Sequence, residues 1–280
     1  MLVTGSRGQL GRALARVAAA VPFELIGFDL PELDITDGAA VRATARAVRP
    51  DVIVNCAAFT SVDAAEIDEP GALAVNGTAV SHLAAAANEA SAPLVQISTD
   101  YVFDGTSRRP YREGDDPCPR NAYGRTKLTG ERAAAAAARM LVVRTAWLFG
   151  ESGPNFVETI RRRLAARERH LDVVDDQRGC PTYALDLAEA VVGLVAAGAT
   201  GIVHVVNDGD ATWCGFAREI VRQLGFDVEV QPITTRQVGR PAPRPSYSVL
   251  DTSRLRALLG RTLPPWRDAL ARYLRATVAA

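Results

Sequence analysis

Short, almost continuously apolar runs alternate with longer Ala-rich stretches through the first half of the chain. Leu2–Thr4, Glu24–Phe28, Val52–Asn55, Leu94–Ile97 and Leu141–Arg144 are the apolar runs, and their lack of polar alternation predicts strands covered on both faces, as in a parallel sheet. The stretches between them, Gln9–Ala20, Ala39–Val48, Gly71–Ala90 and Ala122–Ala138, are long enough to be crossover helices. This pattern predicts an α/β fold with a doubly wound parallel sheet. The alanine run Ala133–Ala138 falls in the last of these helices, alanine being the strongest helix former.

The texture changes after about Gly150: apolar segments shorten, and Gly, Pro and Arg become common, notably in Arg240-Pro241-Ala242-Pro243-Arg244-Pro245. A smaller, less regular mixed α/β region is expected there. Ala190–Asn207 carries no charge, yet Gly193, Gly198, Thr200, Gly201 and His204 break it, so it is expected to form a helix, a turn and a buried strand at Val203–Val206 rather than a membrane span. Such a strand would return the chain to the first sheet. The expected division is therefore discontinuous: 1–150 plus about 183–210 for the sheet domain, and about 151–182 plus 211–280 for the smaller, ligand-covering region.

Lys+Arg and Asp+Glu balance at 32 each over 280 residues, which removes the electrostatic case for a nucleic-acid or membrane-surface binder. Any anionic ligand must be caught locally. Cys56, Cys118, Cys180 and Cys214 form no CxxC or Cys/His cluster, and His82, His170 and His204 lie far apart, so no metal site is expected. Met1-Leu2-Val3-Thr4-Gly5 leaves no room for a basic and then apolar leader, and a reducing cytoplasm is the expected compartment. Arg161, Arg162, Arg163, Arg167 and Arg169 form the densest basic segment, read as a solvated helix face.

Gly5-Ser6-Arg7-Gly8-Gln9-Leu10-Gly11 follows the first strand and opens the first helix. Glycines at this spacing permit a tight turn, close approach of backbone N–H groups to a pyrophosphate, and close helix–strand packing. With the flanking strand and helix and Asp29 ending the second strand, the context predicts a dinucleotide site. Asp29 could accept from the adenosine ribose hydroxyls and favour NADH; Arg7 could pair with the 2′-phosphate of NADPH. Both coenzymes stay open.

Tyr123 and Lys127 stand at Tyr-x-x-x-Lys spacing on a predicted helix, which puts phenol and ammonium on one face. A cation there is expected to bring the phenol's pKa down toward working pH. Ser98-Thr99-Asp100 directly follows the fourth strand, at the carboxyl edge where open α/β sheets bind ligands.

Gly5–Gly11 with Tyr123 and Lys127 resembles the extended short-chain dehydrogenases/reductases. Ser98–Gly105, Phe28–Thr36, Val54–Thr60, Arg144–Gly150, Asn155–Val157, Val174–Gly179 and Tyr247–Asp251 narrow the resemblance to the dTDP-4-dehydrorhamnose reductase family, essentially end to end. The resemblance implies a Rossmann-type sheet and a catalytic set of Thr99, Tyr123 and Lys127. In it Tyr123 is the general acid, Thr99 orients the substrate C4 carbonyl, and Lys127 holds the nicotinamide ribose and tunes Tyr123. It implies coenzyme contacts at Gly5, Arg7, Gly8, Gln9, Leu10, Gly11, Asp29, Asp34, Ile35, Ala57, Ala58, Tyr123 and Lys127, and contacts to a dTDP-sugar at Thr99, Asp100, Phe103, Trp147, Asn155 and Arg178. The implied activity is NADPH- or NADH-dependent reduction of dTDP-4-dehydro-L-rhamnose to dTDP-L-rhamnose. Reduction of another nucleotide 4-keto-6-deoxyhexose is the alternative. A regulatory subunit like that of methionine adenosyltransferase is a third reading, against which intact Thr99, Tyr123 and Lys127 stand. Monomer and homodimer both remain open.

Overall fold

The computed structural model describes residues 1–20 and 23–278. Six parallel strands make the central sheet: β1 (Leu2–Thr4), β2 (Ile26–Phe28), β3 (Ile53–Asn55), β4 (Leu94–Thr99), β5 (Met140–Thr145) and, after four short strands that lie outside it, β10 (Gly201–His204). Those four are β6 (Leu148–Phe149), β7 (His170–Val174), β8 (Arg178–Gly179) and β9 (Thr182–Tyr183). The order β10-β5-β4-β3-β1-β2 places β2 and β3 on opposite sides of β1. Strand order therefore reverses at β1/β3, and a ligand crevice is expected beyond their carboxyl ends.

The crossovers are α1 (Gln9–Ala18), α2 (Gly38–Val48), the chain of α3 (Val62–Ile67), α4 (Glu69–Leu73) and α5 (Ala79–Glu89), and α6 (Ala122–Ala134). One sheet face packs on α1 and α8 (Ala184–Ala196), with Leu10, Leu14, Val191 and Leu194 against Val3, Val54 and Val143. The other packs on α2 and α5, with Val41, Val80 and Leu83 against Ile53, Leu94 and Val142. Burial on both faces explains the unbroken apolar runs.

Two helix readings change. The stretch expected as one helix over Gly71–Ala90 is divided by a π-helical turn, Ala74–Thr78, whose Asn76 side chain pins both the N–H and the C=O of Phe59. The alanine run does not stay helical: α6 stops at Ala134, because the Asn88 amide donates to Ala136 O and accepts from Ala138 N, bending the chain toward β5. Tertiary hydrogen bonds here outweigh alanine propensity, which is a weak prior. The uncharged Ala190–Asn207 stretch is helix, turn at Gly198 (φ +64°) and strand, though the strand starts at Gly201 and ends at His204. Among the described residues no helix is long and apolar enough to cross a membrane.

The remaining elements are β11 (Ala211–Thr212), β12 (Glu229–Ile233), α7 (Phe156–Ala165), α9 (Trp213–Gln223), α10 (Thr235–Val238), α11 (Ser253–Leu259) and α12 (Trp266–Val278). β7 pairs with β12 in parallel, and α7, α9 and α12 share a second core around Phe149, Phe216, Trp266 and Tyr273. The stretch after residue 211 is not all in that core, because Leu255 and Leu263 pack with α8 and β10 in the first one.

Candidate active site

The glycine loop lies at the strand-order switch. Gly5 takes φ +66°, and a Cβ there would stand 2.6 Å from Ala57 N; a Cβ on Gly11 would run into Gly5 O. Only glycine fits both places. Gly8 caps α1 without a side chain, so the first-turn N–H groups of this helix face the crevice free for an anion. Asp29 holds the loop from outside, Oδ2 accepting from Arg7 N at 2.8 Å and Oδ1 from Leu30 N at 2.9 Å. The Arg7 guanidinium pairs with Glu32 and donates to Leu30 O at 2.8 Å. Leu10 and Ile35 are buried, whereas Asp34 is exposed, its carboxyl held below the usual range by the Thr36 N–H and hydroxyl. Ala57 and Ala58 follow β3, and Ala58 lines the crevice with Gly5, Gly8, Gln9, Leu10 and Gly11.

The crevice, about 380 Å3, continues along the carboxyl ends of β4 and β5 to Thr99, Asp100, Tyr123, Lys127 and Trp147. Thr99 ends β4, donates to Asp100 Oδ1 at 3.1 Å and accepts from Tyr101 N at 3.2 Å, closing a short 3-10 turn. Tyr123 sits in the first turn of α6, which Asn121 caps by accepting from Gly124 N at 2.7 Å. A side chain at Gly124 would meet Tyr101 O, so α6 lies directly on the turn after β4. Lys127 is 3% exposed and donates to Ile97 O at 2.6 Å.

The titration behaviour departs from expectation in one respect. Burial pushes the Tyr123 phenol up to about 12, while the Thr99 hydroxyl pulls the other way; Lys127 is not among the groups acting on it. The ammonium donates to the β4 backbone, and the carboxylate that acts on it is Glu131. Burial brings Lys127 itself down to about 8, against the field of Glu131. Asp100, 2% exposed, is pushed up to about 7 by burial, against the pull of the Ser248 and Thr99 hydroxyls. Thr145 Oγ1, also lining the crevice, has no hydrogen-bond partner. An unsatisfied buried oxygen at a cleft wall is available to a bound polar ligand.

Behind this wall lies a buried network. Arg144, 1% exposed, makes a two-pronged pair with Glu131 at 2.9 and 2.7 Å, and Glu131 Oε1 also accepts from Ser98 Oγ. The side chain of the residue preceding Thr99 is thus tied to a buried ion pair.

Trp147 adopts φ +45°, uncommon for a bulky residue, and stacks on Trp213 with centroids 3.5 Å apart and planes within 5°. A Cβ at Gly179 would stand 2.5 Å from the Trp147 ring, so that glycine makes room for the indole. Gln177 accepts from Trp213 Nε1 at 3.1 Å and donates to Thr235 Oγ1 at 2.8 Å. Trp213, Val62 and Tyr101 line both the crevice and an adjoining pocket of about 400 Å3, walled by Phe156, Ile233, Gln177, Arg163, Arg240 and Arg244. The two hollows thus adjoin at these three residues, one running along the carboxyl ends of the central strands and the other lying among α7, β7, β12 and α9.

Three expected substrate residues point elsewhere. Phe103 is 1% exposed and stacks on Tyr111 at 4.2 Å, because the chain is extended again by that residue and turns its ring into the core. The Asn155 amide is used within the fold, Oδ1 accepting from Glu158 N at 3.0 Å as the α7 cap and Nδ2 donating to Gly150 O at 2.9 Å. Arg178 is on β8, paired outward with Asp210, and lines neither hollow. Their neighbours Phe156 and Gln177 occupy the cleft wall instead. Trp213, Phe156, Arg240 and Arg244 carry no motif, so only the folded chain brings them to the site. Among the described residues no cluster of three or more His, Cys, Asp or Glu could hold a metal.

The chain matches the family described as RmlD substrate binding domain over residues 1–278. It is 47% identical over 277 residues to a dTDP-4-dehydrorhamnose reductase of Streptomyces griseus, covering 96% of this chain and 91% of that protein. It is 44% identical to a dTDP-4-keto-6-deoxy-D-glucose reductase of Streptomyces niveus, over 96% of this chain and 94% of that one. The crystal structure of a Bacillus anthracis dTDP-4-dehydrorhamnose reductase in complex with NADP superposes with a TM-score of 0.95 at 36% identity, covering 98% of both chains.

Proposed function

The chain belongs to the RmlD substrate binding domain family, and from that membership and the cleft we propose that it reduces the C4 ketone of dTDP-4-dehydro-L-rhamnose to give dTDP-L-rhamnose. The observation that carries the reading is the convergence of Thr99, Tyr123 and Lys127 on one wall of a crevice whose other end is the glycine cradle of Gly5, Gly8 and Gly11. The cradle suits a nicotinamide dinucleotide, since a Cβ at Gly5 would fill the place where backbone must approach a pyrophosphate. NADPH and NADH are both accommodated: Arg7 favours the 2′-phosphate, and its pairing with Glu32 and the nearby Asp29 favour the free hydroxyl. The four cysteines are all free, which suits a reducing compartment such as the cytoplasm.

The chemistry that the reduced coenzyme supplies when bound is a hydride for the C4 carbon. Negative charge then develops on the C4 oxygen, and Tyr123 donates its phenolic proton there. Because burial holds the phenol near 12, Tyr123 keeps that proton throughout the neutral range. Thr99 turns its hydroxyl from Asp100 to the same oxygen and fixes the carbonyl in line. Lys127, with one N–H spent on Ile97 O, has two left for ribose hydroxyls. The stacked indoles of Trp147 and Trp213 give the sugar a flat apolar wall, and the Arg-bearing pocket beyond them takes the nucleotide.

Absorbance of NADPH, then NADH, after addition of dTDP-4-dehydro-L-rhamnose tests this directly, with product identification and the Tyr123→Phe variant alongside. Oxidation to dTDP-L-rhamnose that the variant loses supports the reading; coenzyme binding without turnover of this sugar refutes it. A second sugar is favoured by the Streptomyces niveus relative: flat indole faces do not discriminate epimers, and turnover of dTDP-4-keto-6-deoxy-D-glucose in preference would select that reading.

A further inference from the structure

Asp63, in the first turn of α3, is the meeting point of the sheet domain and the Arg240–Pro245 strap. Arg244 grips it from both nitrogens, Nη1 to Oδ1 and Nη2 to Oδ2, each at 2.9 Å. Arg240 Nη1 reaches Oδ2 at 3.2 Å, and Ala242 N donates to Oδ1 at 3.2 Å. Four hydrogen bonds thus converge on the carboxylate, about as many as its lone pairs accept, and the carboxyl is held at about 2, chiefly by Arg244. The strap's alternating prolines stiffen it and leave few N–H groups to tie it down. Its other anchors are Asn121, which caps the Tyr123 helix and donates to Pro243 O at 2.8 Å, and Ser246, which donates to Gly105 O at 3.0 Å.

Arg240 and Arg244 both line the nucleotide side of the cleft, and Asp63 follows Val62, which lines both sides. The third cation there, Arg163, is already paired with Glu168. Two guanidiniums against one carboxylate leave one net positive charge at the cleft, with the Arg240 Nε and Nη2 donors and the Arg244 Nε donor not used by Asp63. We propose that Asp63 is a positioning residue for substrate recognition, holding Arg240 and Arg244 across the cleft so that their remaining N–H groups meet the diphosphate of the nucleotide sugar. The proposal rests on the nucleotide-sugar reading above.

A carboxylate beside two arginines could instead merely compete with the diphosphate, and the two roles predict opposite signs. Under positioning, Asp63→Asn keeps the side-chain shape, frees the strap and weakens dTDP binding by about tenfold, the scale of one charge-assisted hydrogen bond, measured by calorimetry on the full chain. KM for the 4-keto sugar rises by a similar factor while kcat stays within about twofold, the pattern of lost ground-state binding. NADPH affinity, read by fluorescence titration, does not move, and Asp63→Glu recovers part of the loss. A melting curve of each variant separates this from misfolding, which would lower coenzyme and nucleotide binding together. Unchanged or tighter dTDP binding by Asp63→Asn overturns the proposal. If the unaltered protein binds dTDP but reduces no dTDP-4-keto sugar, the functional reading fails while the Asp63 comparison still reads out; if it binds no dTDP, both fail.

Discussion

Replacing Glu131 by Gln tests whether the ion pair behind the Thr99 wall of the crevice sustains both the fold and the proposed chemistry. The pair is dry: Arg144 is 1% and Glu131 5% exposed at the side chain, and the guanidinium already has one nitrogen, Nη1, without a partner. Removing one charge leaves the other buried and uncompensated, which costs about 3–5 kcal/mol when nothing replaces it. Gln keeps one acceptor oxygen, so the lower end applies, and at about 2–4 °C per kcal/mol for a chain of this size the melting temperature falls by roughly 6–12 °C. The double variant Glu131→Leu/Arg144→Met, which removes both charges at similar volume, recovers most of that loss.

The same substitution has a kinetic signature. Glu131 is the nearest charge raising Lys127, which burial has brought to about 8. Without it the ammonium gives up its proton at lower pH, so the alkaline fall in reduction rate moves toward acid. Thermal melts with a pH–rate profile of the same preparations measure both effects. A melting temperature within about 2 °C of the unaltered protein, or an alkaline limb that moves upward, would refute the reasoning.

Three further outcomes are expected. Tyr123→Phe loses about 10²–10⁴-fold in kcat, as removal of a positioned acid does, with NADPH titration unchanged; a loss under tenfold would remove Tyr123 from the acid role. Gly179→Ala places a methyl 2.5 Å from the Trp147 ring and should unstack it from Trp213, lowering kcat/KM and altering tryptophan fluorescence; unchanged fluorescence would show that the ring has room. Asp100 has a folded pKa of about 7 against 3.8, so the native state holds the extra proton in that window and stability falls as pH rises through it. Asp100→Asn therefore raises the melting temperature at pH 8 and not at pH 4, and an equal change at both would contradict the assignment.

What was legible in the sequence was whatever one short segment encodes by itself. The glycine loop works because Gly5 and Gly11 must lack a Cβ, and that requirement shows as spacing along a few residues. Tyr123 and Lys127 share a helix turn for the same reason, and the central strands read plainly because two-sided burial admits no polar alternation. The departures begin where a residue's role is set by a partner far along the chain. Spacing put Lys127 on the face of Tyr123, yet the β4 carbonyl at Ile97 claims the ammonium. Composition made Ala133–Ala138 helical, yet the Asn88 amide bends it.

The same distinction explains the substrate side, where the family resemblance implies Asn155 and Arg178 while their neighbours Phe156 and Gln177 form the wall. Helix capping and outward ion pairing consume polar groups before any ligand arrives, so a polar side chain at a segment end is first a candidate for the fold's own hydrogen bonds. Trp213 is the sharper case. Its indole completes the stack with Trp147 only because Thr212 caps α9, accepting from Gly215 N at 2.9 Å, and Gln177 fixes its N–H. No local pattern distinguishes such a tryptophan from one in a core.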